Sequence, residues 1–143
     1  MKDEIDSILV IKHQRLLHLK SRDKIIKTYT IALGKEPIGT KEFEGDNKTP
    51  EGEYIIYQKT ERSEFYKSLG ISYPNEKEKT NAKKIGKKGG GQIRIHGFKS
   101  EFKGDQKGGK NKDWTAGCIA VTNAEIDEIY GLVEVGIRII IQQ

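Results

Sequence analysis

The sequence predicts a mainly β protein with a few short helices, one of them directly after the strand that carries its single cysteine. Three observations lead there. Apolar and polar residues alternate with a period of two through the first thirty-odd positions, and the same pattern returns near residue 95 and at the C-terminus. Helical spacing is confined to short stretches that begin at a capping residue. Turn-forming Gly, Pro, Asn and Asp fill the gaps between runs. At 143 residues the chain has the size of one domain, taken as 1–143. Hydrophobic residues are only 34% of it, but they are concentrated in periodic runs, which favours a folded core over disorder.

Between Ser7 and Leu33 the runs SILVIK, RLLHLK and KIIKTYTIAL are separated by HQ and SRD and predict a β-meander, with Tyr29, Ile31 and Leu33 on one face. His13 at the first turn and His18 in the second strand read as structural. A loop rich in Gly, Pro and charge follows and closes on a strand over 53–58. In Thr49-Pro50-Glu51-Gly52 the proline takes the second position of a type I turn and the glycine the fourth; Asp46 and Lys48 are expected to fix that turn. Residues 63–69 and 75–84 are expected as short helices, the second behind Pro74 with Asn75 as its cap.

Eight of the sixteen glycines lie between Gly86 and Gly109, around the isolated strand QIRIH. The triplet Gly89-Gly90-Gly91 lacks the GxxxxGK[ST] or GxGxxG spacing of a phosphate cradle and reads as flexible loop beside a site. Residues 118–121 form the next strand. Thr122 to Glu125 then make a capping box for a helix striped by Ile126, Ile129 and Tyr130, and a last strand covers 136–141.

The formal charge of +5 is unevenly placed: Lys77 to Lys112 contains twelve Lys or Arg against three acids. That segment should attract an anionic polymer. Phe98 and Phe102 alone are a poor base-stacking platform, so nucleic acid is not expected. No stretch approaches the ~18 apolar residues of a membrane span, and the first twenty residues carry no signal or anchor. One cysteine excludes an internal disulfide.

In QIRIH, Ile93 and Ile95 point to the core, so Arg94 and His96 point the other way. In CIAV the same alternation buries Ile119 and Val121 and sends Cys118 outward. Each reactive residue also adjoins a glycine, Gly97 or Gly117, which permits close approach of a substrate backbone. A histidine beside the thiol, and the N-terminus of the helix after it, would lower the thiol pKa toward a thiolate–imidazolium pair. Sequence spacing alone does not bring residues 96 and 118 together. Zinc is the rival use of such a pair, but with one cysteine and no HxxxH or CxxC no metal site is expected.

The segment IRIHG at 93–97, then DWTAGCIAVTNAEIDEIY at 113–130 and VEVGIRIII at 133–141, resembles the YkuD-type L,D-transpeptidase catalytic domain. ALGKEPIGTKEFEGDNKTPEGEY at 32–54 and SEFYKSLGISYPN at 63–75 are similar to the family's substrate-loop region. The resemblance implies a YkuD-like β-sandwich and a reaction on peptidoglycan stem peptides. Cys118 matches the nucleophile, attacking the bond between diaminopimelate and D-alanine to form a thioester. His96 matches the base, with the Gly97 carbonyl orienting its ring, and Gly117 with Cys118 matches the oxyanion-hole backbone. Arg94, Trp114, Thr115 and Tyr73 are the candidate substrate-binding residues. Many members carry a second histidine where this chain has Ala116; the DWTxGC form is similar to a branch common in Gram-negative bacteria, and acceptor choice stays open. A carboxypeptidase, another wall amide hydrolase and a non-catalytic wall-binding module are the alternatives. No cofactor is implied, carbapenems are the implied covalent inhibitors, and a monomer is expected. A wall substrate implies a periplasmic or cell-envelope location for a chain trimmed of its signal or anchor.

Overall fold

The computed structural model describes residues 4–99, 102 and 104–143. Strands β1 (Ser7–Ile11), β2 (Leu16–Ser21) and β3 (Lys24–Thr30) form the expected antiparallel meander. Alternation is the cause: Ile8, Val10, Leu17 and Leu19 are fully buried on one face. Arg22 and Asp23, at φ 51 and 70, make the two consecutive left-handed residues that a tight β2–β3 hairpin requires. Tyr29, Ile31 and Leu33 are buried together as their spacing predicts.

The remaining elements are β4 (Gly52–Ser63), β5 (Tyr66–Ile71), α1 (Glu76–Lys84), β6 (Arg94–His96), α2 (Gln106–Gly109), β7 (Ile119–Ala120), α3 (Asn123–Leu132) and β8 (Arg138–Gln142). The strands lie in the order β3-β2-β1-β8-β4-β5-β6-β7. Pairing is antiparallel except for β1–β8 and β6–β7. The long β4 pairs β8 through Gly52 to Ile55 and β5 from Ile56 onward, and so joins the two halves. Beyond β3, Ala32 exchanges both backbone hydrogen bonds with Ala120 of β7, at 3.0 and 2.9 Å. The expected β-sandwich is thus built from one hydrogen-bonded strand order, its two halves joined by β4 and its margins meeting at that bridge. Ile8 and Leu19 from one half, Leu69, Ile95 and Ile119 from the other, and Ile126 and Ile129 of α3 share a single apolar cluster.

Both predicted helix caps form. Asn75 Oδ1 accepts the Glu78 N–H at 2.8 Å while Glu78 accepts the Asn75 N–H, and Thr122 and Glu125 repeat the exchange at α3. The helix expected over 63–69 does not form. Phe65, Tyr66 and Leu69 imitate a helical stripe, but Ser68 and Leu69 pair with β4 on one side and β6 on the other, and two hydrogen-bonded ladders outweigh local spacing. Residues 63–66 are instead the tip of the β4–β5 hairpin. Nor does the turn fall at Thr49–Gly52. The chain turns at Glu44-Gly45, and Pro50 runs straight toward β4. Asp46 fixes that turn by accepting the N–H groups of Glu42, Phe43 and Lys48 and an ion pair from Lys41 at 3.0 Å. Burial pushes its carboxyl up, and these four partners together hold it below the usual range. His13 is exposed, and His18 is satisfied by Thr28 Oγ1 at 2.8 Å.

Candidate active site

Strands β6 and β7 run parallel with Ile95 opposite Ile119 and His96 opposite Ala120. One step back in this register places Cys118 beside Arg94. Residues abreast in a parallel pair share a face, so Arg94, His96 and Cys118 all lie opposite the buried isoleucines, as alternation predicts. Adjacent strands and a two-residue step separate the Cα atoms of His96 and Cys118 by roughly 8 Å, within reach of two side chains leaning toward each other. Both line one cavity of about 410 Å³, together with Arg94, Gln92 and the hairpin residues Thr60 and Arg62 to Phe65.

His96 is nevertheless not on the surface. It is 3% exposed, because the hairpin tip lays Phe65 on its ring at 4.5 Å and 20° and Trp114 meets its edge at 5.8 Å. Nδ1 lies 2.7 Å from the Gly97 carbonyl. A carbonyl only accepts, so Nδ1 carries the proton and Nε2 keeps the lone pair. Burial under the two aromatic rings lowers the imidazole pKa from 6.5 to about 4, against the Gly97 hydrogen bond. The folded state thus holds this ring neutral while the unfolded chain protonates it near 6.5. Stability from this group is present above that pH and is lost as pH falls from about 6.5 through about 4, in total about 3 kcal/mol. Urea midpoints should show it: the stability advantage of wild type over His96→Gln at pH 7 should shrink or reverse by pH 4.

Gly97 is required where it stands. A Cβ there would lie 2.2 Å from Asn123 Oδ1, which accepts the Phe98 N–H at 2.8 Å across to α3. Gly97→Ala must break that bond and is expected to cost about 1–3 kcal/mol by denaturant unfolding. Gly97 also donates its N–H to the Phe65 carbonyl at 3.0 Å, tying the hairpin tip over His96.

Cys118 is half-buried, and its Sγ–H donates to the Gln92 carbonyl at 3.2 Å. Burial raises its pKa, opposed by the Arg94 N–H and by the charges of Arg94 and Lys41. Burial thus pushes the thiol up and the imidazole down, away from the thiolate–imidazolium pair expected from the sequence. Lys41, which carried no recognisable signal in the sequence, comes to the site through the Asp46 turn; its Nζ would be 3.5 Å from a Cβ at Gly117.

The turn before the cysteine is tightly tied. Thr115 Oγ1 donates to the Cys118 carbonyl at 2.7 Å and accepts the Gly117 N–H at 3.1 Å. Thr115 is 4% exposed and bridges Gly34, so it shapes the turn and does not face a substrate. Gly117 sits at φ 140, where a Cβ would meet the Lys48 carbonyl at 2.7 Å; its N–H is spent on Thr115 and is not a vacant oxyanion donor. Asp113 anchors the segment, accepting a forked contact from Arg15 and the Leu33 N–H at 3.0 Å.

Arg94 is held by neutral acceptors, Ser68 Oγ at 3.0 Å, Thr60 Oγ1 at 3.4 Å and Gln92 Oε1 at 2.6 Å. Trp114 backs His96 and lines a second, apolar cavity of about 480 Å³ with Phe65, Phe98 and Phe102. Tyr73 lies elsewhere. It is 4% exposed, packs edge-on against Tyr54 and donates to the Gly89 carbonyl at 3.0 Å, so its part is structural. The basic segment places Lys79, Lys83, Lys87 and Lys88 around an open cleft that reaches Gln92. Among the described residues no group of three or more His, Cys, Asp or Glu is placed to hold a metal ion.

A thiol and a tautomer-fixed imidazole thus open on one cavity. Residues 5–141 match the model of the L,D-transpeptidase catalytic domain (YkuD), and the chain belongs to that family. It is 27% identical over 132 residues to the putative L,D-transpeptidase YafK of Escherichia coli K12, covering 88% of this chain and 46% of that protein. In structure it is similar to the helical cell shape determining protein Pgp2 from Campylobacter jejuni, with a TM-score of 0.75 and 23% identity over 99% of this chain and 49% of that one. Bd1075 of Bdellovibrio bacteriovorus has the same fold, with a TM-score of 0.67 and 24% identity over 98% of this chain and 48% of that one. The chain thus spans about half the length of these relatives.

Proposed function

We propose that the protein is a cysteine acyltransferase of peptidoglycan stem peptides, with Cys118 as nucleophile and His96 as general base. The observation that carries this reading is the shared cavity of the two side chains, with Nδ1–H of His96 committed to Gly97 so that Nε2 is the nitrogen left to take a proton. On substrate entry the Cys118 Sγ–H leaves the Gln92 carbonyl and passes its proton to Nε2 as sulfur bonds to the carbonyl carbon between diaminopimelate and D-alanine. The Cys118 N–H is assigned to the oxyanion, since the Gly117 N–H is already given to Thr115. The C–N bond breaks, the imidazolium returns the proton to the leaving amine, and a thioester remains on Cys118.

An amine from a second stem resolves the thioester as a cross-link, a free D-amino acid gives exchange, and water gives a carboxypeptidase. Ala116 is exposed, and no second histidine stands there to favour one acceptor. The wall substrate puts the working protein in the periplasm or cell envelope; among the described residues no helix is long and apolar enough to cross a membrane. The cell-shape role in the name of Pgp2 belongs to this chain only as part of the same proposal. Incubation with purified disaccharide tetrapeptide followed by mass analysis tests the reading. Disaccharide tripeptide, a cross-linked dimer or both are expected; cleavage at any other bond, or no product, would contradict it.

A further inference from the structure

Arg62 is a residue to which the reading above gives no role. It lies in β4 where the β4–β5 register shifts: Thr60 faces Ser68 and Ser63 faces Tyr66, which leaves one extra residue on the β4 side. A bulge of this kind bends a strand and re-aims a side chain, and here Arg62 lines the cavity that holds Cys118 and His96.

The charge of that cavity is uncompensated. Three charged groups besides the reactive pair line it: Arg62, Arg94 and Glu64. Glu64 is ion-paired with Lys99 at 2.9 Å. Arg94 is held only by hydroxyl and amide oxygens, and among the described residues the Arg62 side chain makes neither an ion pair nor a hydrogen bond. Two guanidinium groups without a carboxylate partner thus border the cavity that holds Cys118 and His96. Arg94 has both terminal nitrogens engaged, whereas the whole planar fork of Arg62 is available for a bidentate contact.

We propose that Arg62 is a specificity-determining residue that binds a carboxylate of the acyl donor next to the scissile amide, with Arg94 supplying the positive field behind it. The assignment rests on the acyl-transfer reading. It makes a free carboxylate within one residue of the reacting carbonyl a requirement for efficient acylation. Charge there has a second consequence: a bound carboxylate offsets the Arg94 charge that opposes protonation of His96.

The test compares D-alanine release and Cys118 adduct formation on three donors: the tetrapeptide stem, the same stem with its terminal carboxylate amidated, and the same stem with the diaminopimelate side-chain carboxylate amidated. Wild type should acylate the free acid best. Arg62→Gln should lower kcat/KM on the free acid by about 10- to 100-fold while leaving one of the two amides within about twofold, and Arg62→Lys should fall between them because it keeps the charge and loses the fork. An unchanged far-ultraviolet circular dichroism spectrum for both variants separates binding from folding. If wild type forms adducts and Arg62→Gln keeps the same preference among donors, or loses activity equally on all three, the Arg62 assignment falls and the acyl-transfer reading stands. If wild type forms no adduct with any donor, both fall.

Discussion

Cys118→Ala is expected to abolish product formation, a loss of about 10⁴-fold or more, while leaving the fold intact. No other thiol exists in the chain to take over the bond-forming step, and removal of a nucleophile leaves only the residual rate due to binding and oxyanion contacts. The structural cost is small by comparison. Cys118 is half-buried and gives one weak hydrogen bond to the Gln92 carbonyl, so alanine should shift stability by no more than about 1 kcal/mol. Thermal melting measured beside the turnover assay separates the two effects. A variant that melts normally and still releases D-alanine would move the chemistry away from this residue.

His96→Gln is expected to lower kcat/KM by about 10³-fold or more. The reason is the burial that raises the Cys118 thiol. A thiol raised by burial has little thiolate of its own at neutral pH, so nearly all of the proton transfer falls on Nε2. The same burial fixes the pH profile. With the free imidazole at about 4, the acid limb of wild-type kcat/KM should lie near pH 4, well below the 6.5 of an exposed histidine. Activity should therefore persist through pH 5–6, where an unburied histidine base would already be losing it. Glutamine keeps an N–H to give the Gly97 carbonyl, and so tests the base with less disturbance of the packing under Phe65 and Trp114 than alanine would cause.

Local rules in the sequence reached far into this site. Period-two alternation placed Arg94, His96 and Cys118 on the face opposite Ile93, Ile95 and Ile119, and the parallel β6–β7 register bears that out. Thr122 and Glu125 announced α3, and Asn75 announced α1, because a capping box is written within four residues. What the sequence did not disclose depends on contacts across the chain. Alternation says which way His96 points but not that Phe65, thirty-one positions earlier, will cover it; that needs the β4–β5 hairpin, which helical spacing of Phe65, Tyr66 and Leu69 disguised. The raised thiol pKa follows from the same hidden burial. Thr115 and Tyr73, read as substrate-binding, are buried and engaged with backbone groups, since position within a motif does not distinguish a residue that shapes a turn from one that faces solvent. Lys41 and Arg62 reach the site through a loop turn and a bulge, neither of which has a period to read.

The central claim is that a covalent bond forms between Cys118 and the acyl part of the stem. Rapid acid quench of wild type mixed with disaccharide tetrapeptide, followed by intact-protein mass spectrometry and peptide mapping, measures it directly. The expected adduct has the mass of the donor less one D-alanine, maps to the peptide containing Cys118, and is absent from Cys118→Ala; a carbapenem should give a covalent adduct on the same peptide. Turnover with no adduct on wild type, or an adduct that survives in Cys118→Ala, would contradict the account.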